Sequence, residues 1–282
     1  MQFGDLTIES ISGGRFRLDG GAMFGIVPKP LWTRNAAADE FNRIQLDTNC
    51  LLVRHSDYLA ICDTGFGTKL SDKERMHVAA EGTDSLVCNL KNAGIDREEI
   101  THVIFSHLHF DHAGGATQLD GSGNLELTFP NATHLFQKRE MDDAIGNVKE
   151  LEGSYYDSEL SFLNENAKTL AIDGALAALP NLEIEPTGGH TFGHQVIWLQ
   201  LGQRKGIYIG DLCPTSAHLN VFWTMAYDAF QLEVRRKKFE LFERIATEKT
   251  IVFFDHDPEI QAATIKAKND KSFEIDEVFA LR

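Results

Sequence analysis

The chain has 282 residues, enough for one large domain or two small ones. With 43% hydrophobic and 24% charged residues it can bury a sizeable core under an ordinary polar surface. A formal net charge of −15 argues against nucleic acid or an anionic membrane as partner, since both call for a basic surface. No stretch is long and apolar enough to span a bilayer, and Met1-Gln-Phe-Gly-Asp-Leu6 has neither a basic start nor an apolar core. The expected location is therefore the cytoplasm. Cys50, Cys62, Cys88 and Cys213 show no paired spacing and read as buried free thiols in a reducing compartment.

In chain order, residues 3–18 read as strand, broken at Gly13-Gly14. Residues 19–32 mix glycine and proline with Met23, Phe24, Ile26, Leu31 and Trp32, so no regular element is expected there. An apolar loop needs a cover, which points to a pocket wall or to a subunit contact, with a homodimer as one outcome. Residues 43–54 and 58–62 form a strand pair turning at Ser56-Asp57. A helix is expected over Asp84–Ala93, with Leu86, Val87 and Leu90 on one face and Gly94 as its stop. Next come a strand over 133–137, a helix over 138–145 and a partly helical stretch over 146–168.

From residue 169 the pattern turns to short strands: 169–172, 182–186, 195–201 and 206–209. A helix over 230–246 carries Arg235-Arg-Lys-Lys238, read as a solvated face. Residues 250–254 are a buried strand, and 259–282 a short helix followed by a strand. Two packed sheets flanked by helices, in a single domain over 1–282, fit this order.

The densest chemistry lies in Ser106-His-Leu-His-Phe-Asp-His112. Imidazole nitrogen and carboxylate oxygen are ligands that zinc and similar divalent ions prefer. If this stretch is extended, His107, His109 and Asp111 face one pole and His112 another. His190, Asp211 and His256 are further candidates downstream, in Gly188-Gly-His-Thr-Phe-Gly-His194, Tyr208-Ile-Gly-Asp-Leu212 and Phe253-Phe-Asp-His-Asp257.

His107-Leu-His109-Phe-Asp111-His112, followed by those three residues in that order, resembles the ligand pattern of the metallo-β-lactamase superfamily of dinuclear hydrolases. The resemblance implies an α/β (α+β) fold, a four-layer αββα sandwich with the ligands on loops at one edge. It also implies two divalent metal ions per chain, zinc first, with manganese, iron or cobalt as alternatives. His107, His109 and His190 would hold one ion and Asp111, His112 and His256 the other. Asp211 would bridge them, together with the attacking hydroxide. Asp63, after the second strand, resembles an aspartate that braces the metal loop. His194 falls outside the ligand set.

The loop 21–32 and the runs Gly210–Asn220 and Met225-Ala-Tyr-Asp228 resemble the quorum-quenching branch, which opens the lactone ring of N-acyl-homoserine lactones. On that reading Met23, Phe24, Trp32, Phe222 and Trp223 wall an acyl groove. His218 and Tyr227 orient the substrate carbonyl, and Asp111 passes a proton to the departing alkoxide. The alternatives are an organophosphate or aryl ester hydrolase of the methyl-parathion type and a glyoxalase-II-like thioesterase. The last would need a basic patch for glutathione carboxylates, and none lies near these motifs.

Overall fold

Alternating burial along Leu6–Asp19 sets one edge of the architecture: Leu6 and Ile8 point inward between polar neighbours. The computed structural model describes residues 1–81, 86–146, 148–151 and 153–281. Leu6–Asp19 belongs to a seven-stranded sheet ordered Gln2–Phe3, Leu6–Asp19, Arg43–Arg54, Leu59–Cys62, His102–Ile104, Thr133–Gln137, Lys168–Ile172. Its first three pairings are antiparallel and its last three parallel.

A second seven-stranded sheet follows the order Leu176–Leu179, Leu182–Pro186, Gln195–Leu201, Arg204–Tyr208, Ile251–Phe253, Ala262–Ala267, Phe273–Phe279. Its pairings are antiparallel except between Arg204–Tyr208 and Ile251–Phe253, which the helix Gln231–Glu248 connects. A small hairpin, Thr117–Leu119 with Leu125–Leu127, stands apart.

Three cores make the layers. Leu51, Val53, Ala60 and Ile104 of the first sheet meet Ile184, Ile197, Leu199 and Phe253 of the second. On the first sheet's outer face, Leu52, Ile61 and Val103 pack on Leu86, Leu90, Met141 and Leu163, from the helices Leu86–Asn92, Lys138–Ile145 and Asp157–Asn166. On the second sheet's outer face, Val196, Ile207 and Val252 pack on Val234, Leu241, Phe242 and Ile245 of the long helix. The order helix–sheet–sheet–helix is the expected four-layer sandwich.

Several boundaries differ from expectation. Gly13-Gly14 does not break the first long strand; the register shifts there, between Ser12 and Arg15. A Cβ on Gly14, at φ +130°, would come 2.3 Å from the Phe66 ring, so the pair forms a bulge that only glycine fits. Residues 19–32 are not irregular. They fold into two short helices, Gly20–Phe24 and Lys29–Trp32, the first capped by the Asp19 carboxylate accepting from Ala22 N at 2.9 Å.

The C-terminal stretch has no helix among its described residues. Ala262–Ala267 and Phe273–Phe279 form a hairpin whose polar turn is held by Asn269, whose side-chain oxygen accepts from Lys271 N and Ser272 N, each at 2.9 Å. The basic run on the long helix is not wholly solvated, because Lys238 is buried and its Nζ donates to the carbonyls of Trp223 and His218. Cys50, Cys62 and Cys213 are buried as expected, whereas Cys88 is exposed. The helix expected from Asp84 is seen from Leu86; its first residues lie outside the described ones. Among the described residues no helix is long and apolar enough to cross a membrane.

Candidate metal centre

His102–Ile104 lies inside the first sheet with parallel neighbours on both sides, and its carboxyl end delivers Ser106 and His107. After His109 the chain turns at once into the helical turn Phe110–Ala113, with Ala113 N donating to His109 O at 2.9 Å. This turn corrects the expectation from extended backbone. Asp111 does not join His107 and His109 but swings to the side of His112. His190, Asp211 and His256 follow the carboxyl ends of Leu182–Pro186, Arg204–Tyr208 and Ile251–Phe253 in the second sheet. All seven expected ligand residues therefore meet at one edge of the sandwich.

They meet as two groups sharing one carboxylate. In the first, His190 Nε2 lies 3.0 Å from His109 Nδ1 and 3.0 Å from Asp211 Oδ2, with His107 Nε2 4.0 Å from that oxygen. In the second, His112 Nε2 and His256 Nε2 are 3.0 Å apart, and Asp211 Oδ1 lies 3.3 Å from the latter. Asp111 approaches His256 Nε2 to 3.6 Å and His112 Nε2 to 3.8 Å. Metal–nitrogen bonds of about 2.0–2.1 Å put neighbouring ligands of one ion roughly 3–3.5 Å apart, so the spacings suit two ions. His107 Nε2 and Asp211 Oδ1 are buried with no hydrogen-bond partner, a state that a cation resolves.

Electrostatics divide the imidazoles. Burial, reinforced by neighbouring imidazoles, pushes His107 and His109 well below the usual histidine range. Burial also opposes charge on His190 and His112, but carboxylates outweigh it. Asp211 and Asp228 carry His190 up to about 10, and Asp111 and Asp63 carry His112 to about 9.

Each ring is held from behind. Asp63, at φ +58°, accepts from Ser106 N and Ser106 Oγ at 2.7 Å each and from Tyr208 OH at 3.0 Å, and it pairs with His112 Nδ1 at 2.9 Å. The expected brace is in place. His256 Nδ1 meets the Asp47 carbonyl at 2.8 Å.

Two supporting carboxylates escape sequence reading. Asp228 pairs with His190 Nδ1 at 2.8 Å and accepts from Met225 N at 2.8 Å; its only sequence signal is its place in Met225-Ala-Tyr-Asp228. Buried Glu140 accepts from Leu108 N at 3.0 Å, Tyr155 OH at 3.0 Å, Thr191 Oγ1 at 2.7 Å and Gly193 N at 3.1 Å, which locks the His107–His109 loop to the His190 loop. No local motif marks it. His194 stays outside both groups, its Nδ1 on Thr187 Oγ1 at 2.6 Å.

A cavity of about 260 Å³ opens over the two groups, walled by Leu18, Met23, Leu46, Val78, Phe110, Met225 and Tyr227. Met23 and Tyr227 are where expected. Phe24, Trp32 and His218 are not: all three are buried and absent from the wall. Phe24 is sandwiched between Trp32 and His218, at ring distances of 5.2 and 4.6 Å, and His218 Nε2 donates to the Met23 carbonyl at 2.9 Å. They form the support beneath Met23. Trp223 packs edge-on against Phe24, and Phe222 is an exposed residue against Phe239 and Arg235. Neither borders the cavity.

Comparison with known proteins agrees with this geometry. The description "Metallo-beta-lactamase superfamily" matches residues 43–271. The chain belongs to that superfamily. This hydrolase is 27% identical over 236 residues to an N-acyl homoserine lactonase of Bacillus cereus, covering 80% of its own length and 87% of the relative's. A crystal structure of a probable metal-dependent hydrolase from Staphylococcus aureus superposes with a TM-score of 0.87 at 30% identity, over 99% of this chain and 100% of that one. AidC, a dizinc quorum-quenching lactonase in complex with a product, gives a TM-score of 0.79 at 21% identity, over 100% of this chain and 97% of its own, which shows the shared fold. The protein is thus a metal-dependent hydrolase whose His and Asp groups form its candidate metal sites.

Proposed function

We propose that this hydrolase binds two divalent ions and opens the lactone ring of N-acyl-homoserine lactones. One observation carries the reading: Asp211 presents its two oxygens to two separate histidine groups beneath an apolar cavity. The ions would supply Lewis acidity and a water nucleophile active near neutral pH.

The remaining roles fall to the chain. Leu18, Leu46, Val78 and Met225 shed water from an acyl chain. Tyr227 carries its phenolic proton at neutral pH and so can donate a hydrogen bond at the wall. Asp111, bordering the cavity beside the second group, would take up the proton that the attacking water gives up as its oxygen bonds the carbonyl carbon, and pass it to the ring oxygen as the ester C–O bond breaks. No Lys or Arg is among the described residues of the wall, which disfavours a glutathione thioester with its two free carboxylates.

The test is comparative. Protein loaded with zinc or manganese is assayed on an N-acyl-homoserine lactone, an aryl phosphotriester, an aryl ester and a thioester, with metal content measured alongside. Two ions per chain and the highest kcat/KM on the lactone are expected. A single ion at saturation sinks the two-ion reading, and a phosphotriester or thioester rate above the lactone rate sinks the substrate.

A further inference from the structure

We infer that Asp255 is an additional ligand at the His112–His256 pole, which makes that pole oxygen-rich and suited to a harder divalent cation than the His107–His109–His190 pole. The inference rests on the two-ion reading above. Asp255 is 1% exposed, and neither carboxylate oxygen has a hydrogen-bond partner. Its Oδ2 lies 3.6 Å from His256 Nε2, the same separation that Asp111 Oδ2 keeps from that nitrogen. One ligand atom each from His112, Asp211, Asp255 and His256 all fall within 4.8 Å of one another.

Among the described residues, the ion-pair contact of Asp255 is with His256, itself a candidate ligand. Its side chain faces Asp211, Asp63 and the His112–His256 pair, and no Lys or Arg pairs with it among the described residues. Its backbone is pinned, with Asn49 N donating to its carbonyl at 2.7 Å. A buried polar group of this kind persists where an ion completes it.

The two poles then differ in chemistry. One offers three imidazoles and a single oxygen of Asp211. The other offers His112 and His256 with oxygens from Asp111, Asp211 and Asp255. Imidazole suits zinc, and carboxylate suits manganese.

The test titrates metal-free wild type, Asp255→Asn and Asp255→Ala with Mn²⁺ and Zn²⁺, reading bound metal by mass spectrometry and free Mn²⁺ by electron paramagnetic resonance. Wild type offered both ions is expected to take one of each. Asp255→Asn is expected to lose Mn²⁺ affinity about tenfold or more, on the scale of losses seen around metal ligands, with the tighter zinc unchanged.

Mn²⁺ affinity unchanged in Asp255→Asn, where wild type binds two ions, overturns the ligand role alone. Fewer than two ions in wild type overturns the two-ion reading and this inference with it. A reading independent of folded variants comes from anomalous diffraction of Mn²⁺-loaded wild type: an Asp255 oxygen within roughly 2.0–2.2 Å of the ion is expected. An ion with no bond to Asp255 refutes it.

Discussion

His134, buried in the penultimate strand of the first sheet, has neither ring nitrogen paired. Burial pushes its pKa down to about 4. The folded value lies below the unfolded one, so as pH falls below about 6.5 the unfolded chain takes a proton that the folded chain refuses. Stability therefore drops through the window from about 6.5 to about 4, by about 1.4 kcal/mol per pH unit from this group. His134→Leu should flatten that part of the acid-denaturation curve; an unchanged slope between pH 6 and pH 4.5, roughly the heart of the window, would remove His134 from the account. Asp111 calls for a different substitution. Asp111→Asn keeps an oxygen for metal but cannot carry a carboxyl proton, so lactone turnover should fall about 10²–10⁴-fold. An aryl phosphotriester, whose phenolate leaves without help, should suffer far less at equal metal content. Equal losses on both substrates leave Asp111 a ligand only.

At the scale of elements, the strand pairs and the ligand loops are legible in the sequence because each has a local signal. Thr133–Gln137, Leu182–Pro186 and Gln195–Leu201 fall where apolar runs end in turn residues, and six of the seven metal-ligand candidates lie in short histidine-bearing stretches, Asp211 being marked instead by its place at the end of an apolar run. What escaped depends on distant packing. The bulge at Gly13-Gly14 exists because Phe66 lies against it, and Asp228 and Glu140 show their roles only through partners far along the chain. The helices Gly20–Phe24 and Lys29–Trp32 follow the same rule, since Gly20 leaves room for the Trp32 ring, which a Cβ would approach to 2.4 Å. Trp32→Ala should therefore act on stability, at about 3–5 kcal/mol, read by denaturant unfolding. Chain-length preference belongs to the wall itself. Met225→Ala and Leu46→Ala should flatten the gain in kcat/KM with each acyl methylene, worth about 0.8 kcal/mol when buried. Retained preference in both would place the acyl chain elsewhere.

For the whole molecule, the centre ties the two sheets together. His107, His109, Asp111 and His112 follow a strand of the first sheet, and His190, Asp211 and His256 follow strands of the second. Ions bound across them favour the folded state by mass action, so a chelator should lower the Tm and re-addition of metal restore it. An unchanged Tm after verified metal removal would show that the inter-sheet core alone sets the stability. Most of the apolar wall is separate from the ligands: Leu18, Met23, Leu46 and Val78 come from before the first ligand and Met225 and Tyr227 from a stretch that contains none, while Phe110 sits inside the ligand motif. Heritable change in substrate preference can then accumulate without touching the reacting centre. A population of variants selected in the laboratory for a new ester should gather its substitutions near residues 18–78 and 225–227 and leave the seven ligand positions untouched.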